Sequence, residues 1–273
     1  LQGNKVMEGA GVHLRRIFGF TNPELFDPFL LFDDFSSSNR EDFIKGFPWH
    51  PHRGIETITY VLQGDVEHGD SLGNKGIISS GDVQWMTAGS GIIHQEMPKG
   101  DEKGGLQGFQ LWANLPATNK MMPPRYRGII SPEIPQLKRA DGTLIKVIAG
   151  NVEVTKGPTD DVIIDPEYLD CIVPPRTHFK RSTRTGYTVF TYCIDGTGSI
   201  NGTEVVDGDL VLFDDGDEVE IIGGENSFRF LFISGKPIKE PIAWRGPIVM
   251  NTDAELDLAF SELQNQTFIK NQI

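Results

Sequence analysis

The feature that most constrains the fold is a series of short strand-like runs, separated by turn clusters, between Gly46 and about Leu115. β-branched and aromatic residues favour strands, and Gly, Asn and Asp favour the turns between them. The chain also carries 31 Gly and 17 Pro, spread along its length. Many short strands are therefore expected, and the fold class is predicted to be all-β, a sandwich or a barrel. The runs read "ETITYVLQG", "VEHGDSLGNKG", "GDVQWMTAGSG" and "GLQGFQLWANL".

A proline-rich segment, "NLPATNKMMPPRYRGIISPEIPQLKRADGT", interrupts this pattern and predicts a domain boundary near its end. The second half repeats the first in outline. "YVLQG" at 60–64 and "YCIDG" at 192–196 are each followed by a Gly-Asp pair. This repeat predicts two tandem β domains of one type, 1–135 and 136–250. The alternative is a chance match of common turn motifs.

The chain changes character after Asn251, in "TDAELDLAFSELQNQ". Thr252 and Glu255 have the spacing of a capping box, and the apolar residues that follow have helical spacing. A C-terminal helix within 251–273 is therefore predicted to pack on the barrels.

Charge and cysteine content limit the classes of function. The formal net charge is −13, which disfavours direct binding to nucleic acid or to a membrane surface. No apolar run is long enough to span a membrane, and the first residues lack the apolar core of a secretion signal. Cys171 and Cys193 show no CxxC spacing. We therefore expect a cytoplasmic, reducing location.

Two pairs of ligand-type side chains share the spacing i, i+2. They are His50 with His52 and His94 with Glu96. In a strand, residues two apart point to the same face, so each pair projects together. Three imidazoles and a carboxylate suit Fe, Mn, Ni, Cu or Zn, and not Ca or Mg. A single HxH pair is more often solvated or hydrogen-bonded, but the second pair favours a metal site.

Glu56 competes with Glu96 for the carboxylate position. Glu56 lies an even number of residues after His52, so in a strand the two side chains point to the same face. Four residues of extended strand span about 13 Å, however, which is too far for both side chains to bind one metal unless the strand bends. Glu96 needs no bend. We therefore favour Glu96 as the ligand and expect Glu56 to lie in a supporting or surface position.

Five motifs occur along the chain: "DPFLLFDDF", "FPWHPHRGIETITYVLQG", "GDVQWMTAGSGIIHQEMP", "GLQGFQLWANL" and "GPIVMNT". Together they resemble the pirin family of the cupin superfamily, and the resemblance extends over nearly the whole chain. It implies two tandem cupin barrels of the double-stranded β-helix, or jelly-roll, type. It also implies one metal ion per chain, usually Fe(II), in the N-terminal barrel. The family's ligands fall on His50, His52, His94 and Glu96.

The second domain is expected to lack a metal. When the two halves are aligned on the repeat, the positions equivalent to His50, His52, His94 and Glu96 are Ser182, Arg184, Ile221 and Gly223. None of these four residues is a usual metal ligand. The C-terminal barrel is therefore predicted to be a structural partner or a docking surface.

The resemblance implies an activity like that of quercetin 2,3-dioxygenases, which open a flavonol ring with O₂ and release carbon monoxide. Four ligands on an octahedral metal leave two open positions, and Glu96 is the candidate catalytic base. A flat aromatic substrate needs an apolar slot. Candidates for it are Phe47, Trp85, Phe109 and Trp112, with Gln110 as a hydrogen-bonding residue, although core packing is the commoner role of such aromatics.

Two other functions fit the same residues. The family resemblance includes redox-sensing regulators that act through a protein partner, such as transcription coregulators. A closed zinc site without turnover is the third possibility.

Overall fold

The computed structural model describes residues 1–270 and divides into two compact units. The N-terminal unit contains Asn4–Ser131 together with the chain from Ile238 onward. The C-terminal unit contains Pro132–Pro237 together with Leu1–Gly3. The domain bounds 1–135, 136–250 and 251–273 stay a prediction, and residues 271–273 lie outside the described part of the chain.

The strands that precede Pro132 are short and follow one another closely. They are β1 (Asn4–Glu8), β2 (Val12–Phe18), β3 (Phe29–Asp34), β4 (Phe47–His52), β5 (Ile55–Gln63), β6 (Asp65–Asp70), β7 (Lys75–Ile78), β8 (Val83–Thr87), β9 (Ile92–Gly100), β10 (Gln107–Asn114) and β11 (Arg125–Ile129). Short 3-10 helices occupy Pro23–Phe26, Arg40–Asp42 and Ser131–Glu133.

The remaining strands continue the same pattern. They are β12 (Gln136–Lys138), β13 (Leu144–Ala149), β14 (Asn151–Val152), β15 (Thr155–Lys156), β16 (Glu167–Val173), β17 (His178–Ser182), β18 (Thr188–Asp195), β19 (Thr197–Ile200), β20 (Thr203–Val206), β21 (Leu210–Leu212), β22 (Glu218–Gly223), β23 (Phe228–Gly235), β24 (Ala243–Arg245) and β25 (Ile248–Met250). The helix α1 covers Asp253–Gln264.

The N-terminal unit contains two large antiparallel sheets and the two-stranded sheet β24-β25. One has the order β1-β2-β3-β10-β5-β8-β11, and the other has the order β4-β9-β6-β7. β5, an interior strand of the larger sheet, is buried from Ile55 to Val61. Both faces of this strand are covered, which explains why Thr and aliphatic residues are packed equally tightly along it.

A row of polar residues crosses the larger sheet. Arg16 lies opposite Asp33, Asp33 opposite Gln110, Gln110 opposite Thr59, and Thr59 opposite Gln84. Residues directly opposite each other in an antiparallel sheet share one face. We call these five residues the polar row.

The C-terminal unit has sheets of order β12-β13-β16-β23-β18-β21 and β17-β22-β19-β20. Its core is apolar and includes Phe179, Cys193, Val219 and Ile221. With the N-terminal unit, this confirms the predicted all-β class.

The C-terminal segment ends in the predicted helix. Thr252 accepts a hydrogen bond from the Glu255 amide, and the Glu255 side chain caps the Thr252 amide, so the predicted capping box is present. Leu256 and Ala259 of α1 pack with Ile248 and Met250 of β25 in the N-terminal unit. No helix within residues 1–270 has both the length and the apolar character needed to cross a bilayer.

Candidate metal centre

Three imidazole rings meet where β4 pairs with β9. His50 lies directly opposite His94 in the strand register. The centroid of the His50 ring is 4.9 Å from that of His52 and 4.4 Å from that of His94. Among residues 1–270, these three form the one group whose potential ligand atoms all lie within 4.8 Å of one another. The structure therefore brings together the three histidines that the i, i+2 spacing predicted.

The hydrogen bonds of two rings determine where their lone pairs point. His50 Nδ1 lies 2.8 Å from the Pro48 carbonyl oxygen, and His52 Nδ1 lies 3.1 Å from that of Pro247. A carbonyl oxygen only accepts, so each Nδ1 carries the proton. In the neutral rings both Nε2 atoms then present lone pairs, yet they lie only 3.1 Å apart.

His94 supplies a third unsatisfied nitrogen. Its Nε2 is buried and has no hydrogen-bond partner among the described residues. Burial of a polar atom without a partner costs free energy, and so do two lone pairs directed at each other. A cation coordinated by the three nitrogens would remove both costs. The three histidines thus fit a metal ion.

The protonation states favour the same role. Burial, followed by the neighbouring His50 ring, lowers the pKa of His52 well below its usual value. Burial and the two other rings lower the pKa of His94 in the same way. Both rings are therefore neutral near pH 7, as metal ligation requires.

Glu96 lies beside this group but is not a member of it. Its carboxylate accepts a hydrogen bond from Thr59 Oγ1 at 2.9 Å, and Gln110 Nε2 lies 3.3 and 3.4 Å from its two oxygens. The side chain is buried, with 4% exposure. Thr59 and Gln110, from the polar row, thus orient the carboxylate.

Glu56 lies on the opposite face of the larger sheet, because it alternates with Thr57 and Thr59 along β5. It accepts hydrogen bonds from Trp85 Nε1 and Thr87 Oγ1. The side chain is fully buried, so the expected surface position is wrong.

A pocket of about 420 Å³ opens onto His50 and His52. Of the predicted slot residues, Phe47, Trp112 and Gln110 line it. Trp85 and Phe109 do not, because strand alternation places them with Glu56 on the other face of the sheet. Sequence reasoning missed lining residues such as Arg16, Asp33 and Pro247, since their segments are distant in sequence from the histidines. The pocket is lined by Glu8, Gly9, Arg16, Phe20, Leu31, Asp33, Phe47, Pro48, Trp49, His50, His52, Gln110, Trp112, Gly246 and Pro247.

Two buried basic side chains, Arg53 and Lys120, connect the turn after His52 to the C-terminal segment. Arg53 donates to the carbonyl oxygens of Ser90 and Phe268 at 2.7 and 2.8 Å. Lys120 Nζ donates to Gly54 O at 3.0 Å, Asn114 Oδ1 at 2.7 Å and Val249 O at 3.0 Å. These contacts hold the segment that carries the Pro247 carbonyl against the His52 ring.

We expect Lys120 to make stability depend on pH. Burial lowers its pKa from 10.5 to about 7, so between these values the folded chain binds fewer protons than the unfolded chain. The free energy of unfolding then rises with pH through this window. Relative to Lys120→Met, the wild type should gain about 2 kcal/mol between pH 7 and 9. Denaturant unfolding of both proteins measures this difference, and a difference independent of pH would mean that Lys120 keeps its ordinary pKa.

The corresponding region of the C-terminal unit holds no such group of ligands within the described chain. Ser182 ends β17, and Arg184 pairs with Asp165. Ile221 is part of the apolar core, and a side chain at Gly223 would clash with the Pro174 carbonyl oxygen.

Comparison with known proteins decides the family. The Pirin family model matches residues 11–113, and the Pirin C-terminal cupin domain model matches residues 168–269. The chain belongs to the pirin family. A Thermoplasma acidophilum relative, which carries the provisional name quercetin 2,3-dioxygenase, is 43% identical over 87% of this chain and 98% of its own length. Pirin-1 of Arabidopsis thaliana is 41% identical over 94% of this chain and 89% of its own length.

A solved structure supports the same assignment for this pirin-family chain. The crystal structure of quercetin 2,3-dioxygenase from Acinetobacter baumannii has a TM-score of 0.87 and 32% identity. The match covers 98% of this chain and 96% of the solved chain. The predicted pair of cupin domains, followed by a C-terminal helix, is therefore confirmed.

Proposed function

We propose that this chain is a mononuclear metal enzyme of the quercetin 2,3-dioxygenase type, which cleaves flavonol-like substrates with O₂. One observation carries the proposal. Three imidazole rings converge beside a pocket that His50 and His52 line and that includes aromatic side chains such as Phe47 and Trp112. The names of the Thermoplasma and Acinetobacter relatives support the same reaction class.

We propose one divalent metal per chain, Fe(II), held by His50, His52 and His94, with Glu96 as the fourth ligand. The nitrogen and oxygen donors equally suit Mn, Ni, Cu and Zn, so analysis of the purified protein decides the metal. When bound, the metal supplies Lewis acidity and, as iron, redox chemistry with O₂.

The chain's own residues position the substrate and move its proton. Phe47 and Trp112 provide apolar walls for a planar ring system, and they exclude water from the floor of the pocket. Glu96 is the proposed base that takes the proton of the flavonol 3-hydroxyl group. Thr59 and Gln110 hold its carboxylate through two donors, which keeps it directed toward that hydroxyl.

The overall change is balanced. O₂ adds two oxygen atoms to the flavonol, the central ring opens at two carbon–carbon bonds, and one ring carbon leaves as carbon monoxide. No external reductant is needed, because the flavonol supplies the electrons. The proton that Glu96 removes returns to the product.

The cytoplasmic location belongs to this proposal. Cys171 and Cys193 are both free and buried, which is consistent with a reducing compartment.

Aerobic incubation of Fe(II)-loaded protein with quercetin tests the function. We expect quercetin to be consumed in proportion to metal content. Protein freed of metal by a chelator serves as the control, since it keeps the pocket but loses the proposed centre. Equal rates with and without metal would overturn the proposal.

A further inference from the structure

The wall of the pocket carries an ion pair that the proposed reaction does not use. Arg16 Nε donates to Asp33 Oδ1 at 2.9 Å, and Arg16 Nη2 donates to Asp33 Oδ2 at 2.8 Å. Arg16 Nη1 also donates to Glu8 Oε1 at 2.8 Å. Asp33 is only 5% exposed, yet it lines the pocket. A buried carboxylate costs free energy, so its position beside a ligand cavity calls for a functional account.

Asp33 keeps hydrogen-bonding capacity on its pocket side. A carboxylate has about four lone-pair sites, and Arg16 occupies one on each oxygen. Arg16 also fixes the direction of the carboxylate through its planar, bidentate contact. With Glu8, the cluster holds two carboxylates and one guanidinium. It therefore favours a neutral hydrogen-bond donor over an anionic substituent.

The polar row shows how far Asp33 lies from the proposed metal centre. Asp33 lies one strand from Gln110, whose Nε2 is 3.3 Å from Glu96. Neighbouring strands lie about 5 Å apart, so Asp33 is roughly one strand spacing beyond the residue that contacts the proposed base. A planar substrate held at the histidines would thus direct its distal ring toward Asp33.

An aromatic side chain completes this end of the pocket. Phe20 lines the pocket and is 48% exposed. The Arg16 guanidinium lies 5.8 Å from the Phe20 ring centroid. The far end therefore combines an apolar surface with one fixed acceptor, which suits a hydroxylated aromatic ring.

We propose that Asp33, held by Arg16, is a specificity-determining residue that accepts hydrogen bonds from hydroxyl groups on the substrate ring farthest from the metal. This inference rests on the proposed function for the place of the substrate. It adds a preference within that substrate class: flavonols hydroxylated on the distal ring should bind more tightly than flavonols without such hydroxyls.

The test measures binding as well as turnover. Dissociation constants of quercetin and of 3-hydroxyflavone, which lacks the ring hydroxyls, are measured without O₂ on metal-loaded protein by quenching of tryptophan fluorescence. Burial raises the pKa of Asp33 to about 6, so measurements at pH 8 keep its carboxylate ionised. In the wild type, quercetin should bind about 10- to 100-fold more tightly.

Asp33→Asn should remove most of this preference while leaving 3-hydroxyflavone binding nearly unchanged. Asp170→Asn is the matched control, because Asp170 in the C-terminal unit is a buried carboxylate with a similar bidentate Arg229 contact, at 2.9 and 2.6 Å. The control should keep the wild-type preference. If Asp33 has only a structural role, Asp33→Asn should weaken the binding of both flavonols equally.

The outcomes separate the two proposals. A preference that depends on Asp33, without any O₂ uptake, would support the subsite and overturn the proposed reaction. Turnover of quercetin without a wild-type preference, or with a preference that persists in Asp33→Asn, would overturn the subsite. If Asp33→Asn fails to fold, the wild-type comparison of the two flavonols decides. Failure of the wild type to bind either flavonol would overturn both proposals.

Discussion

Replacing His52 or His94 with alanine is expected to lower metal affinity by at least about two powers of ten, more than the loss of a residue that only orients a ligand. Each variant removes one of the three histidine nitrogens, so that only two imidazole ligands remain for the metal. Metal content after dialysis, measured by elemental analysis, gives the result. The β-sheet circular dichroism should stay unchanged, because the strands of the site are held by backbone pairing.

His178→Ala is the matched control for this experiment. His178 is an exposed histidine of the C-terminal unit that pairs with Glu220, outside the proposed site. It should leave metal content at about one ion per chain. Full occupancy in both His52→Ala and His94→Ala would contradict the assignment, and so would loss of metal in the control.

Glu96→Gln is expected to lower flavonol turnover by roughly two to four powers of ten, the usual scale for loss of a general base. The amide has a similar size, and its oxygen still accepts from Thr59 and Gln110. Most of the metal should remain bound at reduced affinity. Steady-state rates, normalised to bound metal, measure the effect.

Glu56→Gln provides the comparison, since Glu56 is also a buried glutamate but lies on the opposite face of the sheet. Its turnover per bound metal should stay within a few-fold of the wild type. Nearly full activity in Glu96→Gln would remove Glu96 from the role of base. If Glu56→Gln loses as much turnover as Glu96→Gln, the effect is not particular to Glu96 and does not support its role as the base.

Local spacing was sufficient to predict the two pairs of ligand-type residues. His50 and His52 share a face because strand side chains alternate, and so do His94 and Glu96. The contact that brings His94 to His50 and His52 comes from the pairing of β4 with β9. Alternation also separates Phe109 from Gln110, which are neighbours in sequence and point to opposite faces. The sequence alone does not show whether Phe109 or Gln110 points into the pocket, so both are candidate pocket residues.

The rest of the site depends on contacts between distant segments. The polar row requires the order of five strands, which short-range patterns do not encode. The Pro247 carbonyl reaches His52 across 195 residues of sequence, and this contact determines the tautomer of the ring. The sequence therefore does not predict the pairing of Asp33 with Arg16, although Asp33 lies in the motif "DPFLLFDDF".

The most direct test of the central claim is the ratio of carbon monoxide released to O₂ consumed by Fe(II)-loaded protein acting on quercetin. We expect one molecule of carbon monoxide for each O₂ and each flavonol consumed, because a single ring carbon is lost in the balanced reaction. A redox-sensing regulator would consume little or no flavonol. Loss of quercetin with O₂ uptake but without carbon monoxide would contradict a 2,3-dioxygenase reaction, and absence of O₂ uptake would contradict the enzyme.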